Sequence, residues 1–276
     1  MRRNLHAIWL LLGCSHPEPV VAVTGIVTLL AISAGRGPYR AALMATAVLC
    51  GQLFVGWTND LLDADRDAAS GRTEKPVASG HVSRAQVRNA AVVTAVLVVP
   101  LSLLAGVWAG VAHLIAVVAA TAYNFGLKRT PFSVVPYALA FGLVPAFVTL
   151  GPPITHAPPL WATAAAALLG AGAHFTQTLP DIEREQRAGI RGLPQLVGKK
   201  MSAIAGPTFM AAAAGFVALG PAHPRRVLYV GLGVALMLLI GIVGSAVTNR
   251  LELAFRLTLV SAGIIVATIL VAGVSV

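Results

Sequence analysis

Nine stretches of the chain are apolar over the roughly 20 residues a helix needs to cross a bilayer. They fall near residues 18–35, 40–58, 86–105, 107–124, 133–151, 159–178, 202–220, 226–246 and 253–275, with the polar residues gathered between them. Hydrocarbon offers no partner to a backbone amide, and a helix satisfies its own amides within one segment. The pattern therefore predicts an all-α integral membrane protein, with about nine transmembrane helices bundled around a central cavity in a single domain. Residues 1–15, MRRNLHAIWLLLGCS, join basic residues to an apolar run but have no small-residue cleavage site before His16. A short interfacial segment is expected there rather than a removed signal.

Composition agrees with this picture: 57% of residues are hydrophobic and 11% charged, against about 25% charged in a soluble domain. Charge adds an orientation. A net charge of +10 would suggest nucleic acid in a soluble protein, but here the basic residues alternate between loops. With the N-terminus cytoplasmic, sixteen of the twenty lysines and arginines lie on inner segments. Only Arg36, Arg40, Arg225 and Arg226 lie outside. The positive-inside rule accounts for such a bias. The expectation is a plasma-membrane protein with a cytoplasmic N-terminus and no nucleic-acid partner. Cys14 and Cys50, in or beside apolar segments, are expected to be packing residues.

The acids say more, because orientation does not require them. Asp60, Asp63, Asp65, Asp67 and Glu74 follow the second span, and Asp181, Glu183 and Glu185 follow the sixth, leaving only Glu18 and Glu252 elsewhere. The two stretches also match. Asn59, Asp63 and Asp67 are spaced by four, and 118 residues later so are Gln177, Asp181 and Glu185. At the same offset Arg66 meets Arg184, Gly71 meets Gly189, Pro76 meets Pro194 and Gly80 meets Gly198. Spacing by four sets an amide and two carboxylates on one helix face, about one turn apart. Helix-end charges and i,i+4 ion pairs would explain one such stretch, but not its repetition at a constant offset. The repetition implies an internal duplication of about four helices, with halves near 18–130 and 133–250 and one copy of a site in each.

Two facing sets of carboxylates repel one another, and ionised groups at a membrane boundary are costly unless paired. A divalent cation removes both costs. Mg²⁺ takes one or two carboxylates, keeps waters, and completes its shell with substrate phosphates. The interleaved Arg66, Arg72, Lys75, Arg184 and Arg191 suit a polyphosphate, and the hard oxygen donors do not suit zinc. The chain has no GxxxxGKS phosphate loop, so nothing points to a nucleotide-driven pump. An isoprenyl diphosphate fits both environments: a diphosphate for the metal and an apolar tail for the helices.

These residues resemble the UbiA superfamily of membrane prenyltransferases. The run from Asn59 to Asp67, NDLLDADRD, is similar to that family's first signature, NDxxDxxxD. KPVASGHVS at 75–83, AYNFGLKRTP around Tyr123 and Lys128, and DIEREQRAGIRGLP at 181–194 resemble its other loops. The resemblance implies a catalytic set of Asp63, Asp67, Asp181, Glu185, Tyr123 and Lys128. It implies Mg²⁺ held by Asn59, Asp63, Asp67, Gln177, Asp181 and Glu185. The diphosphate would be bound by Asn59, Arg66, Arg72, Lys75, Lys128 and Arg191, with Tyr123 helping to position it. Glu185 stands where the second signature usually ends in Asp, and Gly192 where many relatives carry threonine before Leu-Pro. SHPEP replaces the Arg-Pro common at the start of the first helix.

The expected activity is Mg²⁺-dependent transfer of an isoprenyl group from its diphosphate to a lipophilic acceptor, an aromatic ring or a headgroup alcohol. Two alternatives remain at this point. A terpene cyclase of the same family would use aromatic faces to stabilise its cations, and Trp57, Trp108, Tyr123 and Phe125 are the candidates for that role. A transporter with a site between repeats would not need carboxylates arranged for metal and diphosphate. His174, three residues before Gln177, is either a cavity residue or a hydrogen-bonded structural histidine. His113 is expected to be structural.

Overall fold

In the computed structural model, residues 9–69, 71–72, 75–153, 155–222 and 225–272 are described. Arg2, Arg3 and Glu74, used above for orientation and acid count, lie outside them. All regular structure among these residues is helical. The helices are α1 (Pro17–Ser33), α2 (Gly37–Ala69), α3 (Arg84–Leu104), α4 (Val107–Phe125), α5 (Val134–Gly142) and α6 (Val144–Thr149). They continue with α7 (Leu160–Thr178), α8 (Ile182–Arg187), α9 (Leu193–Leu219), α10 (Arg226–Val247) and α11 (Leu251–Ala272).

Long helices occupy the positions read from hydropathy, and six of them, α2, α3, α4, α9, α10 and α11, are long and apolar enough to cross a membrane. Helix α1 is apolar but has 17 residues. The fifth predicted span is divided into α5 and α6 at Leu143, two residues before Pro145. Proline lacks an amide proton and its ring collides with the carbonyl four residues back, so the ladder breaks there. Rows of large apolar side chains face outward, among them Val92, Val96, Val99 and Leu103 on α3. Such a surface is a liability in water and the natural one in lipid.

Successive helices pack on one another, and α11 returns to pack on α1, closing the bundle. The largest apolar core joins Val27, Met44, Phe147, Val217, Leu228 and Ile265, drawn from both ends of the chain. At the other end of the bundle from the acids, the buried Arg36 donates to the carbonyls of Gly151 and Thr149, the latter at 3.1 Å. It thereby satisfies carbonyls left over where α6 ends.

Two boundaries differ from expectation in ways that shape the site. Helix α2 runs eleven residues past the predicted end of its span to Ala69, carrying Asp60, Asp63, Asp65 and Asp67. No proline or glycine follows Gly56 until Gly71, so nothing stops it. Helix α9 starts at Leu193, before the predicted 202, and is interrupted at Gly198, whose φ of 82° no helix contains.

Candidate active site

Asn59, Asp63 and Asp67 lie on one face of the last turns of α2, as the spacing by four requires. Asp63 and Asp67 are buried, and so is Asp60. Asp65 points the other way and is exposed, paired with Arg84. The buried acids are matched by cations from α2 itself and from other elements. Lys128 follows α4 in a single 3₁₀ turn, Leu127–Arg129, and donates to both oxygens of Asp63 at 2.7 and 2.8 Å and to Asn59 Oδ1 at 3.3 Å. Burial pushes the Lys128 ammonium below its usual range, partly offset by Asp63. Arg66 reaches back to Asp63 at 2.7 Å.

The second acidic set is built differently. Helix α7 ends at Thr178, and Pro180 separates Gln177 from Asp181, with Glu185 on the short α8. The spacing by four therefore does not correspond to one straight helix face here. Proline at position 180 cannot supply the next ladder hydrogen bond, so the chain turns before Asp181. Asp181 is about one-third exposed (34%) and pairs with Arg184. Glu185 accepts from Gln195 Nε2 at 2.5 Å. Burial pushes the Glu185 carboxyl up, and the charge of Asp181 adds to this, while the Gln195 hydrogen bond, Arg66 and Lys128 oppose it.

Arg72 joins the two sets. Its Nη1 lies 3.4 Å from Asp67 Oδ1 and its Nη2 lies 3.7 Å from Asp181 Oδ2. The turns around the sets are also alike at the offset of 118. The amides of Gly71 and Arg72 donate to the carbonyls of Ala68 and Asp67 at 3.1 and 3.0 Å. Those of Gly189 and Ile190 donate to Gln186 and Glu185 at 3.1 and 2.9 Å. Gly71 and Gly189 have φ of 71° and 77°, and Gly80 and Gly198 have 78° and 82°. The left-handed glycine closing a helix, with its pair of reverse bonds, recurs in both places.

Tyr123 comes from α4, edge-on to Tyr137 (5.1 Å) and to His174 (5.6 Å). Tyr137 also packs on His174 with ring centroids 4.7 Å apart, which ties this aromatic group to α7, the helix that carries Gln177. His174 is buried and its Nε2 lies 3.0 Å from Ser133 Oγ, so it is a hydrogen-bonded residue beneath the site. His113 is likewise structural, bonded to Ser102 at 2.7 Å and stacked on Phe147.

The remaining residues singled out from the sequence lie as follows. Lys75 pairs with Asp60 at 2.6 Å and lies 3.1 Å from His16 Nε2. Arg191 is exposed and has no ion-pair partner among the described residues. Of the aromatics proposed to line the cavity, Trp108 and Phe125 are each 67% exposed on the outside. Trp57 is buried, with its indole N–H bonded to the Leu11 carbonyl at 2.8 Å. Only Tyr123 remains beside the site. Residues the sequence did not single out include Tyr137, Ser133 and Gln195. No spacing or charge pattern marks them, because α5, which brings Ser133 and Tyr137, and α9, which brings Gln195, carry neither acidic set.

Along α2, Val48, Gln52 and Val55 precede Asn59 at helical spacing and line an apolar cavity of about 70 Å³, with Val27, Val117, Phe141 and Phe147 as other walls. Among the described residues, no three Asp, Glu, His or Cys side chains converge into a metal cage. The donor chemistry nevertheless fits Mg²⁺, which needs only one or two protein carboxylates. Glu185 in particular is a largely buried carboxylate bonded to a neutral amide, where an added cation would be favourable.

A family model for the UbiA prenyltransferase family matches residues 20–259. Among solved structures, the apo form of a UbiA homologue from Aeropyrum pernix K1 superposes with a TM-score of 0.75 at 22% identity, covering 92% of this chain and 98% of that one. A UbiA homologue from Archaeoglobus fulgidus bound to GPP and Mg²⁺ gives 0.68 at 16% identity, covering 94% and 99%. A structure concerned with digeranylgeranylglyceryl phosphate synthase in membranes gives 0.68 at 15%, covering 98% and 100%. No curated protein matches the chain. At these identities the likeness is one of fold.

Proposed function

The chain belongs to the UbiA prenyltransferase family, and we propose that it transfers an isoprenyl group from a prenyl diphosphate to a lipophilic acceptor, an aromatic ring or a headgroup alcohol, using Mg²⁺. The observation that carries this reading is the bridge through Arg72, which draws Asp67 and Asp181 to one place from distant parts of the chain. The A. fulgidus homologues bound to GPP and to DMAPP, each with Mg²⁺, support the substrate class and the metal.

Asn59, Asp63 and Asp67 on one side and Gln177, Asp181 and Glu185 on the other would hold Mg²⁺. The metal supplies charge neutralisation for the diphosphate as it leaves, in a site poor in water. Arg66, Arg72 and Lys128 already face these carboxylates, and their role is to turn towards the diphosphate and take up its charge. Tyr123, fixed by Tyr137 and His174, positions it. Lys75 and Arg191 stay in the proposed diphosphate set as outer members. The carbon–oxygen bond breaks as the allylic cation forms, and the acceptor's nucleophilic atom then bonds to the cation and loses its proton. The apolar cavity on the same face of α2 as Asn59 is suited to an isoprenyl tail.

The rest of the architecture follows. Nine spans, with α1, the broken α5–α6 and α7 crossing between longer neighbours, put both acidic sets on one side of the membrane. The charge bias makes that side cytoplasmic, in the plasma membrane. The recurring turns at 71–80 and 189–198 support duplicated halves near 18–130 and 133–250. The test is to incubate purified protein and Mg²⁺ with a panel of prenyl diphosphates, with and without aromatic and alcohol acceptors. Diphosphate release that requires Mg²⁺ and rises with one acceptor is expected. Acceptor-independent cyclic products would replace transfer by cyclisation, and no release from any substrate would overturn the reading.

A further inference from the structure

Gln195 occupies an unusual position between the two acidic sets. It is buried near the start of α9, and its side-chain amide donates to Glu185 Oε2 at 2.5 Å. Its backbone carbonyl accepts from Gln186 Nε2 at 2.6 Å, so two adjacent residues of α8 are held by this one residue. The space its side chain uses exists because residue 192 is glycine. A Cβ there would lie 2.6 Å from Gln195 Oε1 and 2.6 Å from the Lys128 carbonyl, well inside contact distance. It would also lie 3.0 Å from Ser133 Oγ, the atom that accepts the Leu193 amide at 2.8 Å. Gly192 is thus the point where the loop carrying Lys128 touches the start of α9. Lys128 bonds Asp63 in the first set, and Gln195 bonds Glu185 in the second.

We infer that Gln195 is a positioning residue for the proposed metal site: it aims the Glu185 carboxylate, and Gly192 provides the room for it to do so. A glutamate has one more rotatable bond than an aspartate, and on the short α8 no cation among the described residues forms an ion pair with it. An amide donor on one oxygen fixes the side chain's torsions and leaves the other oxygen open to a ligand. Such outer partners of ligating carboxylates typically change metal affinity by about 10–100-fold when removed. The inference rests on the reading of Glu185 as a metal ligand given above.

The experiment measures Mn²⁺ binding to detergent-purified protein by electron paramagnetic resonance in the presence of inorganic diphosphate, so that no turnover is needed. Gln195→Leu, similar in size but without the donor, should weaken Mn²⁺ binding about tenfold. Gln195→Asn, which keeps the amide one methylene short, should fall between it and the wild type and covers the case in which the leucine variant does not fold. In a Glu185→Asp background the carboxylate no longer reaches Gln195, so Gln195→Leu should then change affinity by less than about twofold. Gly192→Ala should weaken binding like Gln195→Leu. Wild-type affinity in both Gln195 variants, or an equal loss in the Glu185→Asp background, overturns the positioning role alone. Failure of the wild type to bind Mn²⁺ with diphosphate overturns the metal reading beneath it.

Discussion

The two acidic stretches each carry an amide and two carboxylates at the same spacing, yet the protein builds them in different ways. Asn59–Asp67 rides on one unbroken helix, with Asp63 and Asp67 buried against Lys128, Arg66 and Arg72. Gln177–Glu185 is divided by Pro180 into a helix end, a turn and a short helix, with Asp181 partly open and Glu185 held by an amide. One set therefore lies on a continuous helix and is electrically matched, whereas the other is divided and keeps a carboxylate, Glu185, without an ion-pair partner among the described residues. In the proposed diphosphate site, the first set would serve as a fixed wall and the second as an adjustable one.

The largest effects should be shared by both sets in activity and separate them in stability. Asp63→Asn and Asp181→Asn should each reduce Mg²⁺-dependent diphosphate release by about 10³-fold or more, as when members of one catalytic unit are removed. Only Asp63→Asn should also lower the unfolding midpoint in detergent, because it strands the buried Lys128. Breaking such a pair costs about 3 kcal/mol or more. Equal stability of the two variants would mean that the sets do not differ as described.

Next in size is the coupling between sets. Asp67→Ala and Glu185→Ala should each lose most activity, and the double variant little more, since both disable one ionisation step. Losses that multiply would separate the sets into independent sites. A smaller change is expected from Glu185→Asp, which shortens the adjustable side by one methylene. It should keep Mg²⁺-dependent release while shifting the rate or product distribution, roughly tenfold at most if the role is one of positioning. An unchanged profile would make Glu185 a plain loop charge.

The smallest effects test what lies outside the comparison. Asp65→Asn should leave turnover within about twofold, because Asp65 faces away from the site and pairs with Arg84 at the surface. Cysteines introduced at Ala188 and at Thr155, both exposed, should react with impermeant reagent from opposite sides of the membrane, with Ala188 cytoplasmic. Labelling from one side would contradict the span count between them.

Much of this was legible in the residues themselves. Burial of a helix in lipid demands a long apolar run whatever its neighbours are, so hydropathy located every long helix to within a few residues at most ends. Repetition of residue types at a constant offset likewise needs no structure to be seen, and it led to Asp63, Asp67, Asp181 and Glu185. The breaks were harder. Pro145 and Pro180 are visible in the chain, yet whether a proline kinks a membrane helix or ends it depends on which neighbours accept the freed carbonyls.

What the chain determined alone is local or periodic: membrane-length helices, the face carrying Asn59, Asp63 and Asp67, and the glycines that close turns at 71 and 189. Tertiary structure decided which charge meets which. Lys128 on Asp63, Arg72 between Asp67 and Asp181, and Gln195 on Glu185 each join different elements. Hydropathy and spacing describe how a segment meets its solvent and its own next turn, whereas a side-chain pair depends on two backbones arriving together. Gly192 shows the difference most plainly. Its meaning lies in the Lys128 carbonyl and the Gln195 amide that occupy the space beside it, and neither is its neighbour in the chain.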